Sequence, residues 1–358
     1  MKRQLLAGMT ALTLLLTPGC SLMLSRDYVD VSAHNTTAPT AEGDPSILRA
    51  ESYQELVNAL IYLISQGVET GAIRLYMDTE SMEKELEEAC LEVQEDPLGA
   101  YAVEYIKYSV SPVVTYHQAD VQITYRRIKE QIASIASVTG ITAIRSELKS
   151  ALTEFAPEQV LRISYFDGDE DYIQELVREA YYDAPTAALG MPQAEVHIYP
   201  DSGRQRIVEI LLTYPMETSE LEKRQDLLEQ EAARLSQPLS SLQGDAAFLA
   251  AGKAVLNAGG YRASGGSTAY DALLEGGADS EGLALAMTLL CEDLGLSCQV
   301  ISGTLNGHSH FWNVVESSSG RRHVDLTTFA TAGQSLWTDE EFSSLGYSWD
   351  STFPAGGS

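Results

Sequence analysis

The chain is poor in cysteine, poor in positive charge and, beyond its first residues, without a long apolar run. Its 4 cysteines (Cys20, Cys90, Cys291 and Cys298) are too few for a disulfide framework. Cys291 closes a helical stretch and Cys298 opens the next strand, so a bridge between them stays open. Two buried thiols are the simpler reading, because unbridged Cys is among the most buried residue types. Lys and Arg number 23 against 51 Asp and Glu, a net charge of −28. Such a surface repels phosphate backbones and anionic headgroups, which argues against nucleic acid as a partner. The first two hundred residues or so carry no clustered His, no Gly-rich phosphate loop and no Cys pair. No cofactor and no resident metal are expected.

What is present begins at the N-terminus. Lys2 and Arg3 precede an apolar run from Leu5 to Thr17, too short to span a bilayer and right for a signal-peptide core. The run ends Thr17-Pro18-Gly19-Cys20, which resembles a bacterial lipoprotein lipobox. That resemblance implies cleavage behind Gly19, lipidation of Cys20 and residues 1–20 as signal peptide and lipobox. Cleavage removes two cations and no acid, so the mature chain is more acidic still. The expected location is the extracytoplasmic face of the cell membrane, with the lipid as the sole membrane contact. Residues 21–46 are polar, rich in Thr, Ala and Pro, and read as a flexible tether.

Two stretches, 47–130 and 131–217, then look like copies of one unit with a period of about 88 residues. Each reads α-β-α-β-β. In the first, a helix from Tyr53 to Ser65 is followed by a strand near 72–77, and an acidic helix ends at Asp96-Pro97. In the second, a helix from Asp171 to Tyr182 ends at Asp183-Ala184-Pro185. The strands alternate apolar and polar residues, which gives each sheet one solvated face. Their many tyrosines are read as half-buried packing residues. The fold class is α+β, with a third domain over 218–332 and a tail over 333–358.

The third domain carries the chemistry. Ala269-Tyr270 and Glu275-Gly276-Gly277-Ala278-Asp279-Ser280-Glu281-Gly282 run into an apolar helix that stops at Gly295. His310-Phe311-Trp312-Asn313 follows, then His323-Val324-Asp325-Leu326-Thr327. Position 280 sits where small residues open a helix, and there free N–H groups and the helix dipole favour negative charge. Strands over 309–316 and 322–327 would bring His310 and Asp325 side by side, with Trp312 on the same face. Asp325 would then hold His310 in one tautomer. Cys291 lies near the far end of the helix and is no substitute nucleophile. A competing pattern is His308 with His310 and His323 with Asp325, pairs that share faces and could converge on a metal such as zinc.

These motifs resemble the bacterial transglutaminase-like family, whose papain-like core carries Cys, His and Asp in that order. The resemblance implies a papain-like fold over about residues 219–330 and a triad at Ser280, His310 and Asp325. Serine stands at the nucleophile's position. An alkoxide is harder to form than a thiolate by several pKa units, each about 1.4 kcal/mol. Arg321-Arg322 stands where the family often has an aromatic residue, and Gly282-Leu283-Ala284 replaces Gly-Tyr-Ala. The expectation is therefore a pseudoenzyme that binds a peptide, protein or cell-wall ligand. The alternatives are an active Ser-His-Asp amide or ester hydrolase or acyl transferase, and a structural lipoprotein whose N-terminal repeats make the contacts.

Overall fold

The computed structural model of the protein describes residues 47–329 and 335–350. Cys20, the signal peptide and the tether lie outside the described residues, as does Phe353 of the tail. Among the described residues no helix is long and apolar enough to cross a membrane. The architecture is mixed α and β, in keeping with an α+β chain, and rests on three four-stranded sheets.

In the first sheet, β1 (Ile47–Ala50) is joined through helix α1 (Tyr53–Ser65) to β2 (Thr70–Leu75), which runs parallel to it. Helix α1 starts where the Ser52 hydroxyl accepts from the Glu55 N–H at 3.3 Å. It buries Leu56, Leu60, Leu63 and Ile64, one stripe at helical spacing. Helix α2 (Met82–Glu95) is capped by Ser81 and stops before Pro97, which suits the first turn of α3 (Pro97–Ala102). The hairpin of β3 (Val103–Val113) and β4 (Tyr116–Tyr125) completes the order β1-β2-β4-β3.

After α4 (Lys129–Ala133), the second sheet has the same order and sense. Strand β5 (Ala136–Val138) runs parallel to β6 (Glu158–Ile163) across α5 (Ile141–Thr153). Helix α6 (Glu170–Tyr182) then leads to the antiparallel β7 (Gln193–Tyr199) and β8 (Arg206–Thr213), giving β5-β6-β8-β7. Each unit therefore opens with a strand that the α-β-α-β-β reading omits. Strands of 4 and 3 residues are too short for alternation to register.

The two sheets differ on the face turned away from their own helices. On the first, Lys107, Ser109, Asp120 and Gln122 stand exposed. On the second, Val160 and Ile207 are buried in the apolar core of the first unit. Tyr199 meets Tyr101 of α3 edge-on at 5.6 Å, and Arg127 bonds Glu209 at 2.7 Å. The first unit thus lies across the open face of the second sheet, and apolar residues occupy that face where it is covered.

Helices α7 (Thr218–Ser236) and α8 (Asp245–Ala258), strand β9 (Tyr261–Gly266) and helix α9 (Ala269–Leu273) lead to α10 (Ser280–Asp293). Leu283, Leu285, Met287, Leu289 and Leu290 of α10 are all buried, so this helix is apolar all round and belongs inside a core. The third sheet packs on it, built from β10 (Cys298–Leu305), β11 (His308–Ser317) and β12 (Gly320–Val324). Helix α11 (Asp339–Ser344) and β13 (Tyr347–Ser348) follow, and the order is β12-β11-β10-β13. Residues 335–350, read as tail from the sequence, therefore belong to this sheet and its outer face. One apolar core runs from α6 of the second unit into α10. Cys90 and Cys291 are buried and Cys298 half-buried, all as free thiols. Burial pushes the Cys90 thiol up to about 12.

Candidate functional site

Ser280 is the first residue of α10. The side chain of Asp279 caps the helix, accepting from the Glu281 and Gly282 N–H groups at 3.0 and 3.1 Å. Ser267 donates to the other Asp279 oxygen at 2.6 Å. The sequence predicts free N–H groups beside position 280. Here the Asp279 carboxylate already uses two of them, so less of the helix dipole is left to favour an anion on residue 280. Gly282 lets the helix start lie close to the preceding loop, because a Cβ there would stand 2.7 Å from the Thr268 carbonyl oxygen.

Asn313 ties the helix to the sheet. Its amide donates to the Ala284 carbonyl at 2.9 Å and to the Thr288 hydroxyl at 3.0 Å. On the same strand the Phe311 N–H donates to the Ser280 Oγ at 3.3 Å. Ser280 thus touches β11 one residue from His310. No hydrogen bond joins the Ser280 and His310 side chains.

The His310–Asp325 pair is fully made. His310 Nε2 lies 2.7 Å from Asp325 Oδ2, with His310 8 % and Asp325 3 % exposed. The same oxygen accepts from Thr327 Oγ1 at 2.9 Å and from the Tyr347 hydroxyl at 2.6 Å. Asp325 Oδ1 accepts from the Thr327 N–H at 2.8 Å. A carboxylate only accepts, so Nε2 carries the proton and Nδ1 is left as the basic atom of a neutral ring. Sequence spacing places His310, Asp325 and Trp312 on one face, and the structure brings all three together there.

His323 sits on that face too but does other work. Its Nδ1 accepts from the Trp312 indole N–H at 2.9 Å, and its Nε2 lies 2.9 Å from Asp339 Oδ1 at the start of α11. Its ring stacks on Phe342 at 4.6 Å. Burial lowers the His323 pKa below its ordinary value, opposed by the bond to Asp339. With both ring nitrogens engaged and His308 exposed, the four groups of the zinc alternative do not converge. Among the described residues no three His, Cys, Asp or Glu side chains are placed to hold a metal.

Sequence reasoning missed two contributors. Tyr182, from α6 of the second unit, donates to Glu281 at 3.0 Å and packs on Phe311 at 5.9 Å, so that unit walls the site. Burial raises the Glu281 pKa, and the Tyr182 hydrogen bond opposes the rise. Tyr347 reaches Asp325 from the tail. Only long-range contacts reveal these roles, although the aromatic richness of the tail marks it as a packing segment. Three concavities of about 580, 410 and 550 Å³ lie on the two N-terminal units, and Ser280, His310 and Asp325 line none of them.

No family model and no curated protein matches the chain. Among solved structures, a crystal structure of a TGase is similar over 53 % of this chain and 57 % of its own. Identity is 14 % and the TM-score 0.27, a likeness that carries no weight for the site. The chain spans little more than half the length of that structure.

Proposed function

We propose that residues 218–332, closed by the tail, are a transglutaminase-like domain of papain-like type whose nucleophile position holds Ser280. The domain is catalytically silent and binds a peptide, protein or cell-wall ligand. The two preceding α/β units are repeats of one module, and the chain is anchored through Cys20 on the extracytoplasmic face of the membrane. The observation that carries the silent site is the Ser280 hydroxyl itself. It accepts from the Phe311 N–H and makes no bond to His310, at a helix start where Asp279 holds the Glu281 and Gly282 N–H groups.

A second reading is favoured by one observation. The base and its orienter are complete, and a Ser–His–Asp site needs both. Turnover of an activated ester, p-nitrophenyl acetate, separates the two. A silent site gives the same rate for the mature chain and for Ser280→Ala. A rate that falls 100-fold or more in Ser280→Ala would overturn the silent reading and make the chain a serine hydrolase or acyl transferase.

A further inference from the structure

We infer that Tyr347 is a positioning residue for the His310–Asp325 pair, so that the site is complete only with the C-terminal segment in place. This rests on His310 and Asp325 as the base and orienter of the site just proposed. The Tyr347 hydroxyl is 2.6 Å from Asp325 Oδ2, the oxygen that holds His310. The other donors to Asp325 come from Thr327, two residues away. Thr327 moves with Asp325, whereas Tyr347 arrives from a separate strand and fixes the carboxylate against the body of the sheet.

The segment is built to stay there. Strand β13 pairs Tyr347 with Leu305 and Ser348 with Thr304. The Tyr347 ring stacks on Phe342 at 3.6 Å and meets Trp312 edge-on at 5.4 Å. Upstream, His323 and Trp337 exchange two backbone hydrogen bonds of 2.8 and 2.9 Å. Gly303, the residue paired with His310, supplies an independent sign of fit. A Cβ at Gly303 would lie 2.4 Å from both the Ser348 carbonyl oxygen and the Trp312 ring. The strand beside the base is thus shaped to receive the tail. Burial and the Asp325 carboxylate both raise the Tyr347 pKa, which keeps its hydroxyl a donor.

The test uses Tyr347→Phe in the mature chain, which keeps the ring and its stacking and removes only the hydroxyl. The first readout is solvent exchange of the His310 Nε2 proton by nitrogen-edited NMR at neutral pH. It requires no activity and no change at position 280. Exchange about tenfold faster in Tyr347→Phe, with the Trp312 and His323 signals unmoved, is the expected result. Unchanged exchange would overturn the inference and leave Tyr347 a packing residue. The second readout is thiol alkylation of Ser280→Cys with and without Tyr347→Phe. A labelling profile moved to higher pH by Tyr347→Phe supports the positioning role, and an unmoved one counts against it. If position 280 reacts as an ordinary thiol in both backgrounds, the proposed site fails, and the NMR exchange rate still decides the role of Tyr347.

Discussion

On the sheet side of the site, Asp325 accepts four hydrogen bonds and His310 is locked to it at 2.7 Å. On the helix side, Ser280 receives one bond of 3.3 Å from a backbone N–H and gives none to His310. The two halves also differ in what surrounds them. His310 and Asp325 are set among Trp312, Phe342 and Tyr347, an aromatic cluster that the third sheet needs for its outer face. Ser280 is a half-buried residue at a helix start. Losing the base half would leave buried polar groups unpaired and a cavity in the cluster, whereas Cys and Ser exchange at a helix start at little structural cost. An intact His–Asp pair is therefore partly a statement about packing. The state of residue 280 reports on chemistry.

The contrast can be broken from the base side. Gly303→Ala forces a methyl against Ser348 and Trp312, and is expected to cost about 1–3 kcal/mol in denaturant unfolding. The loss should come with a change in the near-ultraviolet dichroism of the tryptophan cluster. Unaltered stability would mean that the tail does not press on Gly303. A smaller effect follows from His323. Its pKa is lowered in the fold from an ordinary value of 6.5, so the folded state binds fewer protons than the unfolded chain below that pH. Its contribution is present above 6.5 and is lost as pH falls from 6.5 toward the lowered folded value. The stability of the mature chain should decline over that window, and His323→Gln should flatten the decline. An equal slope in His323→Gln would assign the pH dependence to other groups.

Much of the fold was legible because its signals are local. The sequence reading ends α2 at Asp96-Pro97, where it does end, and the caps at Ser52, Ser81 and Thr338 with Glu341 rest on contacts within three residues. The pairing of His310 with Asp325 was legible for the same reason. Two antiparallel strands joined by a tight turn at Gly320 set the faces, although β12 ends at Val324 and not at 327 as the sequence reading has it, so Asp325 reaches His310 from just past the strand end. The parts that stayed hidden depend on long-range packing. β1 and β5 are defined only by their parallel partners, and nothing within Ile47–Ala50 announces one. Tyr182 lies 99 residues from Glu281, and Tyr347 lies 22 from Asp325. No periodicity connects such pairs. The capping role of Asp279 is local and legible, since Asp before a helix is a common N-cap.

In the reading proposed above, His310 and Asp325 form a complete pair and the serine at position 280 is what keeps the site silent. Alkylation of Ser280→Cys in the mature chain, followed by mass spectrometry across pH with buried Cys90 as internal control, tests it most directly. Fast labelling at position 280 that persists below about pH 6 and disappears when His310→Ala is added is the expected result, because a thiolate then stands beside an imidazolium. Labelling with the profile of a free thiol, indifferent to His310→Ala, would show that the two halves no longer face each other and would contradict it.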